Sequence, residues 1–485
     1  MKKLAYYLLL AISATAAPEF ASIFGKHAVL QRDMPLRIWG NGASEDLRLR
    51  FGDIEVAVTR NADGSWSALL PPQAANSAGR SLELLTNGQV SASVSDVLVG
   101  DVWLAAGQSN MQFSVQGMLK HLPAAQSWAD KTDRPRIRFR RVNDPVRAES
   151  AALASAPWLP MSPASVGRFS AVAATFATAI ETAEKIPVGI IDVSWGGKPI
   201  EPFIPRDAFT TPLLSQIRKL ADANKLDELA KLPGGLIIRN PEGHPGAIYR
   251  ARMEPLAGFG IRGFLWYQAE SNAGGGEDPR EYRHKMAAMI NAWRRHWQQA
   301  EMPCHFVQLP SFPRGRGWIR VREEQRRGLE IPHTGMVVTI DIPGDDIHPP
   351  NKIAVGDRLA RLVLHQASGP IYRAHRVIGA EIHISFTHSD SGLMVGELRN
   401  LRTPQETPDA ALRWFELAGE DGTWHEAGAR IAGATVIVSA EAVPAPVAVR
   451  YACHTKPQGG NLYNREGLPA SPFCSRLDWL PWPNP

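Results

Sequence analysis

The chain has 485 residues, with 53 Lys and Arg against 48 Asp and Glu for a net charge of +5, and it is 44% hydrophobic and 21% charged. This mix excludes a disordered or fibrous chain, allows a large buried core, and at about 150 residues per domain suggests two or three domains. Five surplus charges over this length give no case for a nucleic-acid partner.

The N-terminus reads as a signal peptide over 1–17. Lys2 and Lys3 precede an apolar stretch at 4–14 that contains Leu8-Leu9-Leu10, and Ala14-Thr15-Ala16-Ala17 supplies small residues for cleavage. That apolar core is too short to span a bilayer. A periplasmic or secreted protein is therefore expected, with no membrane contact once the leader is removed.

From 18 to 97 the signals are all β. Leu47-Arg48-Leu49-Arg50-Phe51 alternates, Asp63-Gly64 is a turn, and Asn87-Gly88 joins strand-like runs at 81–86 and 89–95. Short strands at this spacing predict an N-terminal β-sandwich domain.

Near residue 98 the pattern changes. The run 97–106 is almost continuously apolar, as in a strand buried on both faces. In 134–141, arginines alternate with Ile137 and Phe139, which predicts a strand with a solvated basic face. Helices are expected at 167–185 and 281–298. In the second, Tyr282, Met286, Met289, Ile290, Trp293 and Trp297 recur at helical spacing. Strands are expected at 188–193, 263–267, 304–309 and 336–342, and Asn351 can cap a last helix reaching about 366. Strands alternating with helices predict a parallel α/β sheet over 98–370. The β pattern then returns over 371–485, ending in a tail rich in Pro, Gly and Asn. Cys304 reads as a buried strand residue. Cys453 and Cys474 can pair as a disulfide in an oxidising compartment.

Open parallel sheets bind ligands at the carboxyl ends of their strands. The first such end carries Gly107-Gln108-Ser109-Asn110-Met111, placing a hydroxyl at the sheet edge and its N–H at a helix start, although serine there also commonly serves as a cap. The second carries Ser194-Trp195-Gly196-Gly197-Lys198, whose glycines permit close backbone approach. The third carries Trp266-Tyr267-Gln268-Ala269-Glu270-Ser271-Asn272, and the last Asp341-Ile342-Pro343-Gly344-Asp345-Asp346-Ile347-His348-Pro349. Together these supply a nucleophile, N–H donors, an amide and an acid–histidine pair, the set that acyl-ester hydrolysis requires. A divalent-metal site at Asp341, Asp345, Asp346 and His348 is the competing reading, weakened by the lack of a second ligand cluster.

These motifs resemble the sialate O-acetylesterase-like carbohydrate esterases of the SGNH hydrolase superfamily. The likeness extends to His27-Ala28-Val29-Leu30-Gln31-Arg32-Asp33-Met34-Pro35, to Asn461-Leu462-Tyr463-Asn464 and to Gly467-Leu468-Pro469-Ala470-Ser471-Pro472. It implies an α/β fold: an SGNH-hydrolase (flavodoxin-like) three-layer parallel sheet domain flanked by N-terminal and C-terminal β domains. It implies Ser109 as nucleophile, His348 as base, and an oxyanion hole built from Ser109, Gly196 or Gly197, and Gln268. Asp345 or Asp346 is the acid, unless Ser109 and His348 act as a dyad. Substrate contacts are expected from Gln108, Asn110, Trp195, Glu270 and Asn272. No metal or organic cofactor is implied, and the substrate would be an acetylated carbohydrate. Ala269 departs from the family's usual Gly and Lys198 from its usual Thr. If that carbohydrate is sialic acid, its carboxylate needs a cation, for which Arg320 and Arg322 are candidates. Two other functions remain open: a non-catalytic carbohydrate-binding protein, and an SGNH esterase or lipase acting on a non-carbohydrate ester.

Overall fold

The computed structural model describes residues 17–143, 145, 146, 156–273 and 278–482. The expected leader, apart from its residue 17, lies outside them. The chain forms a mixed α/β structure with several β sheets.

A seven-strand run forms the centre of the largest sheet. Its members are β1 (Gln89–Gly107), β2 (Arg134–Arg141), β3 (Leu159–Met161), β4 (Val188–Asp192), β5 (Gly263–Tyr267), β6 (Cys304–Val307) and β7 (Thr334–Val337). They lie in the order β3-β2-β4-β1-β5-β6-β7, all parallel except β3. The helices that concern the site are α1 (Ser109–Gln112), α2 (Ala171–Glu184), α3 (Tyr282–Trp297), α4 (Gly317–Arg327) and α5 (Lys352–His365). Asn351 caps α5 as expected, its side chain accepting from the Ala354 N–H.

Alternation along each strand divides the core between two faces. Val102, Leu104, Phe264, Trp266 and Phe306 pack with Met286, Met289 and Trp293 of α3 and with Trp318 of α4. On the opposite face Trp103, Ala105, Leu265 and Val307 meet Val172 and Phe176 of α2 and Ile353 and Leu359 of α5. Near-continuous apolar runs such as 97–106 follow from this burial on both faces.

The expected border at 97/98 falls inside β1. This strand leaves the Asn87-Gly88 turn paired antiparallel with Asn76–Thr86, both turn residues at positive φ, and then continues into the parallel sheet. Its first half alternates between exposed and half-buried positions, and from Val97 it is buried throughout. The border is thus a change of surroundings along one strand rather than a break in the chain.

The basic run in β2 is not a solvated face. Arg134 and Arg136 pair with Glu181, Arg138 with Asp96, and Arg140 donates to the Ser22 carbonyl, with Arg138 and Arg140 buried. Cys453 and Cys474 are buried free thiols, with Cys474 Sγ donating to the Arg476 carbonyl at 3.2 Å, which corrects the expected disulfide. Arg320 and Arg322 are buried too. Arg320 pairs with Glu324, and Arg322 donates to the carbonyls of Leu309, Pro310, His454 and Thr455, so neither faces a ligand. The C-terminal segment returns to the sheet through Tyr463, whose hydroxyl donates to Asp341, the buried partner of Arg358.

Candidate active site

At the end of β1, Gly107 adopts φ +132°, and a side chain there would lie 2.2 Å from the Tyr267 carbonyl of β5. Only glycine fits where two strands approach this closely just before a reversal. The reversal starts α1 at Ser109, half-buried, whose N–H belongs to the first turn and has no helical acceptor.

The loop after β7 brings His348 to this serine. Nε2 of His348 lies 2.8 Å from Ser109 Oγ, and Nδ1 lies 3.0 Å from Asp346 Oδ1. A carboxylate only accepts, so Nδ1 carries the proton and Nε2 is left to accept from the serine hydroxyl. The same Asp346 oxygen accepts from the His348 backbone N–H at 2.7 Å, which fixes the loop. Phe113 stacks beside the imidazole. Half-burial and the charge of Lys352 hold the His348 pKa below its ordinary 6.5, against the opposing pull of Asp346. Asp345 faces away and pairs with Lys456 at 2.7 Å, which holds its carboxyl below the usual range. Of the two candidate acids, only Asp346 meets His348. With Asp341 on Arg358 and Asp345 on Lys456, these carboxylates do not converge as ligands.

Gly196 lies against Ser109, and its N–H donates to Gln112 Oε1 at 2.8 Å. Gly197 is exposed at φ +70°. Gln268 is placed differently from expectation. It is fully buried, and its amide donates to Gln108 (3.0 Å), Asn272 (2.8 Å) and the Lys198 carbonyl (3.2 Å) while accepting from Tyr282 (2.8 Å). Its two N–H bonds are spent on these acceptors, so Gln268 ties loops together instead of facing the serine. Next to it Ala269 sits at φ +149°, a conformation that favours glycine.

Four of the five expected substrate contacts are interior groups. Gln108, Asn110, Glu270 and Asn272 are all buried. Asn272 accepts from the Ile200 N–H at 2.9 Å and donates to Glu201. Trp195 alone stays half-buried at the rim, with the Arg252 guanidinium 3.9 Å over its ring.

Below the serine lies a polar bridge. Asn110 accepts from Lys352 Nζ through Oδ1, and through Nδ2 it donates to Glu270 and to the Ile347 carbonyl at 2.9 Å. Burial lowers the Lys352 pKa to about 7 against the pull of Glu270 and Asp346, and burial raises that of Glu270. Neither Lys352 nor Gln112 stands out by motif. One signal was available for Lys352: a lysine in the first turn of a helix opposes the helix dipole, so it needs another reason to be there.

The family model for the carbohydrate esterase, sialic acid-specific acetylesterase domain matches residues 240–365. The chain is 26% identical to the sialate O-acetylesterase of Rattus norvegicus over 94% of each chain, and 27% identical to that of Homo sapiens over 72% of this chain and 70% of the relative. It superposes on a carbohydrate acetylesterase from Xanthomonas citri with a TM-score of 0.80, at 32% identity over 95% of this chain and 99% of that one. The protein is a carboxylic ester hydrolase. More narrowly, the chain belongs to the sialate O-acetylesterase-like family of carbohydrate esterases.

Proposed function

We propose that the protein is an exported enzyme of SGNH three-layer type that removes O-acetyl groups from carbohydrate through an acyl-enzyme on Ser109. The observation that carries the reading is the chain of contacts from Asp346 through His348 to Ser109 Oγ at the end of β1. In the first step Oγ bonds to the acetyl carbonyl carbon while His348 Nε2 takes the hydroxyl proton. The resulting oxyanion is held by the Ser109 N–H and by Gly196 or Gly197, with Gln112 occupying the Gly196 donor until then. The carbon–oxygen bond to the sugar breaks, and the sugar oxygen takes the proton from His348. Water, giving a proton to the same imidazole, then bonds to the acetyl carbon, and His348 returns that proton to Ser109 Oγ as the acetyl–serine bond breaks and acetate leaves.

A cleft of about 200 Å³ beside Gly197 is lined by Lys198, Arg239, Arg314, Asn240 and Ser271. Two of its cations, Arg239 and Arg314, are exposed and favour a sugar acid such as acetylated sialic acid over a neutral glycan. Lys198 itself donates to Asn240 at 2.7 Å and lies 3.8 Å from Glu242.

The test is acetate release from a panel of acetylated sialic acids and acetylated neutral oligosaccharides. Acetate should appear with the native chain, fastest from the acids, and Ser109→Ala should lower turnover by at least about 10³-fold. A folded Ser109→Ala enzyme with near-native turnover, or no release from any member by the native chain, overturns the reading. Export is checked separately, by finding the mature N-terminus after residue 17 on protein recovered outside the cytoplasm.

A further inference from the structure

The buried polar bridge under Ser109 has no role in the mechanism above, yet it ties together the loops that carry Ser109 and His348. Asn110 follows Ser109 directly, the Ile347 carbonyl it binds precedes His348, Glu270 lies on the loop after β5, and Lys352 lies four residues beyond His348. The amide can be oriented in only one way. Both Nδ2 hydrogens are taken by acceptors, Glu270 and Ile347, and a lysine ammonium can only donate, which leaves Oδ1 to receive it. The amide dipole is thus aligned between a cation on one side and a carboxyl on the other. All three side chains are buried. A fully buried ammonium is expensive unless it is held by partners, and a network this costly in the first turn of α5 needs a function to account for it.

We propose that the Lys352–Asn110–Glu270 bridge is a positioning element for the hydrolysis, fixing where Ser109 and His348 meet, and that the Lys352 charge keeps the His348 imidazole in its neutral, proton-accepting form. The proposal rests on the assignment of Ser109 and His348 made above. The groups facing Lys352 are Glu270 and Asn110 as polar partners, Asp346 at longer range, and the rings of Phe113 and Tyr267 at 5.2 and 5.3 Å. Those facing His348 are Asp346, Ser109, Phe113 and the Lys352 charge. Burial lowers the Lys352 pKa against the pull of Glu270, and burial together with the Lys352 charge lowers that of His348. A positive neighbour disfavours imidazolium, and this extends the base form of His348 to lower pH.

Three variants of the full chain separate the two parts, read by the pH profile of kcat/KM with p-nitrophenyl acetate. Lys352→Met removes both charge and hydrogen bond. It should lower kcat by about tenfold to a hundredfold and move the acid limb to higher pH by about half a unit or more. Lys352→Gln keeps a donor to Asn110 but no charge, so the acid limb should move by a similar amount with a smaller loss of kcat. Lys352→Arg keeps the charge, and its acid limb should stay near the native position. A lysine that merely fills space would lower activity in Lys352→Met without moving the limb. An unmoved limb in a folded Lys352→Met or Lys352→Gln enzyme overturns the proposal, and Lys352→Gln decides the matter if Lys352→Met does not fold. Ser109→Ala and His348→Ala run alongside. Native-like turnover in either sinks the serine assignment itself, whereas their inactivity with an unmoved limb in the lysine variants sinks only the bridge.

Discussion

The rim and the floor of the site are built on opposite terms. At the rim, Ser109 and His348 are half-buried, Asp346 is 70% exposed on its side chain, and Gly197 is open to solvent. On the floor, Asn110, Gln268, Glu270, Asn272 and Lys352 are almost wholly withdrawn from water, and each is held by other polar side chains. A rim group is free to meet a ligand, and its removal leaves its neighbours hydrated. A floor group meets no ligand, and its removal strands buried partners, so it acts on chemistry through position and stability. Polarity beside a candidate nucleophile therefore does not by itself mark substrate contact.

The sharpest division after Ser109 and Lys352 concerns Gln268. Gln268→Ala strips Gln108, Asn272 and Tyr282 of one buried hydrogen bond each, and unfolding experiments should show a loss of about 2–4 kcal/mol together with reduced activity. Loss of about 10²–10³ in kcat at native stability would move Gln268 from floor to rim, as a direct oxyanion donor. Asp346→Asn comes next. An exposed carboxylate that orients His348 should be worth about tenfold or less in kcat. Its loss removes a group that favours imidazolium, so the acid limb should shift to lower pH, opposite in sign to Lys352→Met. Asp345→Asn, paired with Lys456 away from the histidine, should leave the profile where it was, and a change larger than that of Asp346→Asn would reverse the assignment of the acid. The smallest effect belongs to Ala269. Ala269→Gly relieves a strained backbone while adding flexibility to the unfolded chain, with an expected net gain of about 1 kcal/mol read as a higher melting temperature. An unchanged or lowered value would mean that the loop around Gln268 carries no strain there.

Much of this architecture was legible beforehand. The expected helix at 281–298 is observed as Tyr282–Trp297, because six large apolar residues at helical spacing allow one arrangement against a sheet. The Asn87-Gly88 turn was equally plain. Gly107, Ser109, Gly196 and His348 could be singled out because each follows an apolar strand, where a parallel sheet gathers its polar loops. The arginine run of β2 misled because alternation reports only that two faces differ. Whether the polar face meets water or Glu181, Asp96 and Ser22 depends on chain more than forty residues away.

Local sequence determined the strands, the helices and the short list of reactive groups, since periodicity, turn chemistry and a helix cap act over a few residues. The tertiary structure alone decided that Asp346 rather than Asp345 meets His348, that Gln268 turns its amide inward, and that Asn110 joins Glu270 to Lys352 across separations of 160 and 242 residues. The physical reason is that a side chain's role here follows from which partners are buried with it, and burial is settled only when distant strands close over the same edge of the sheet.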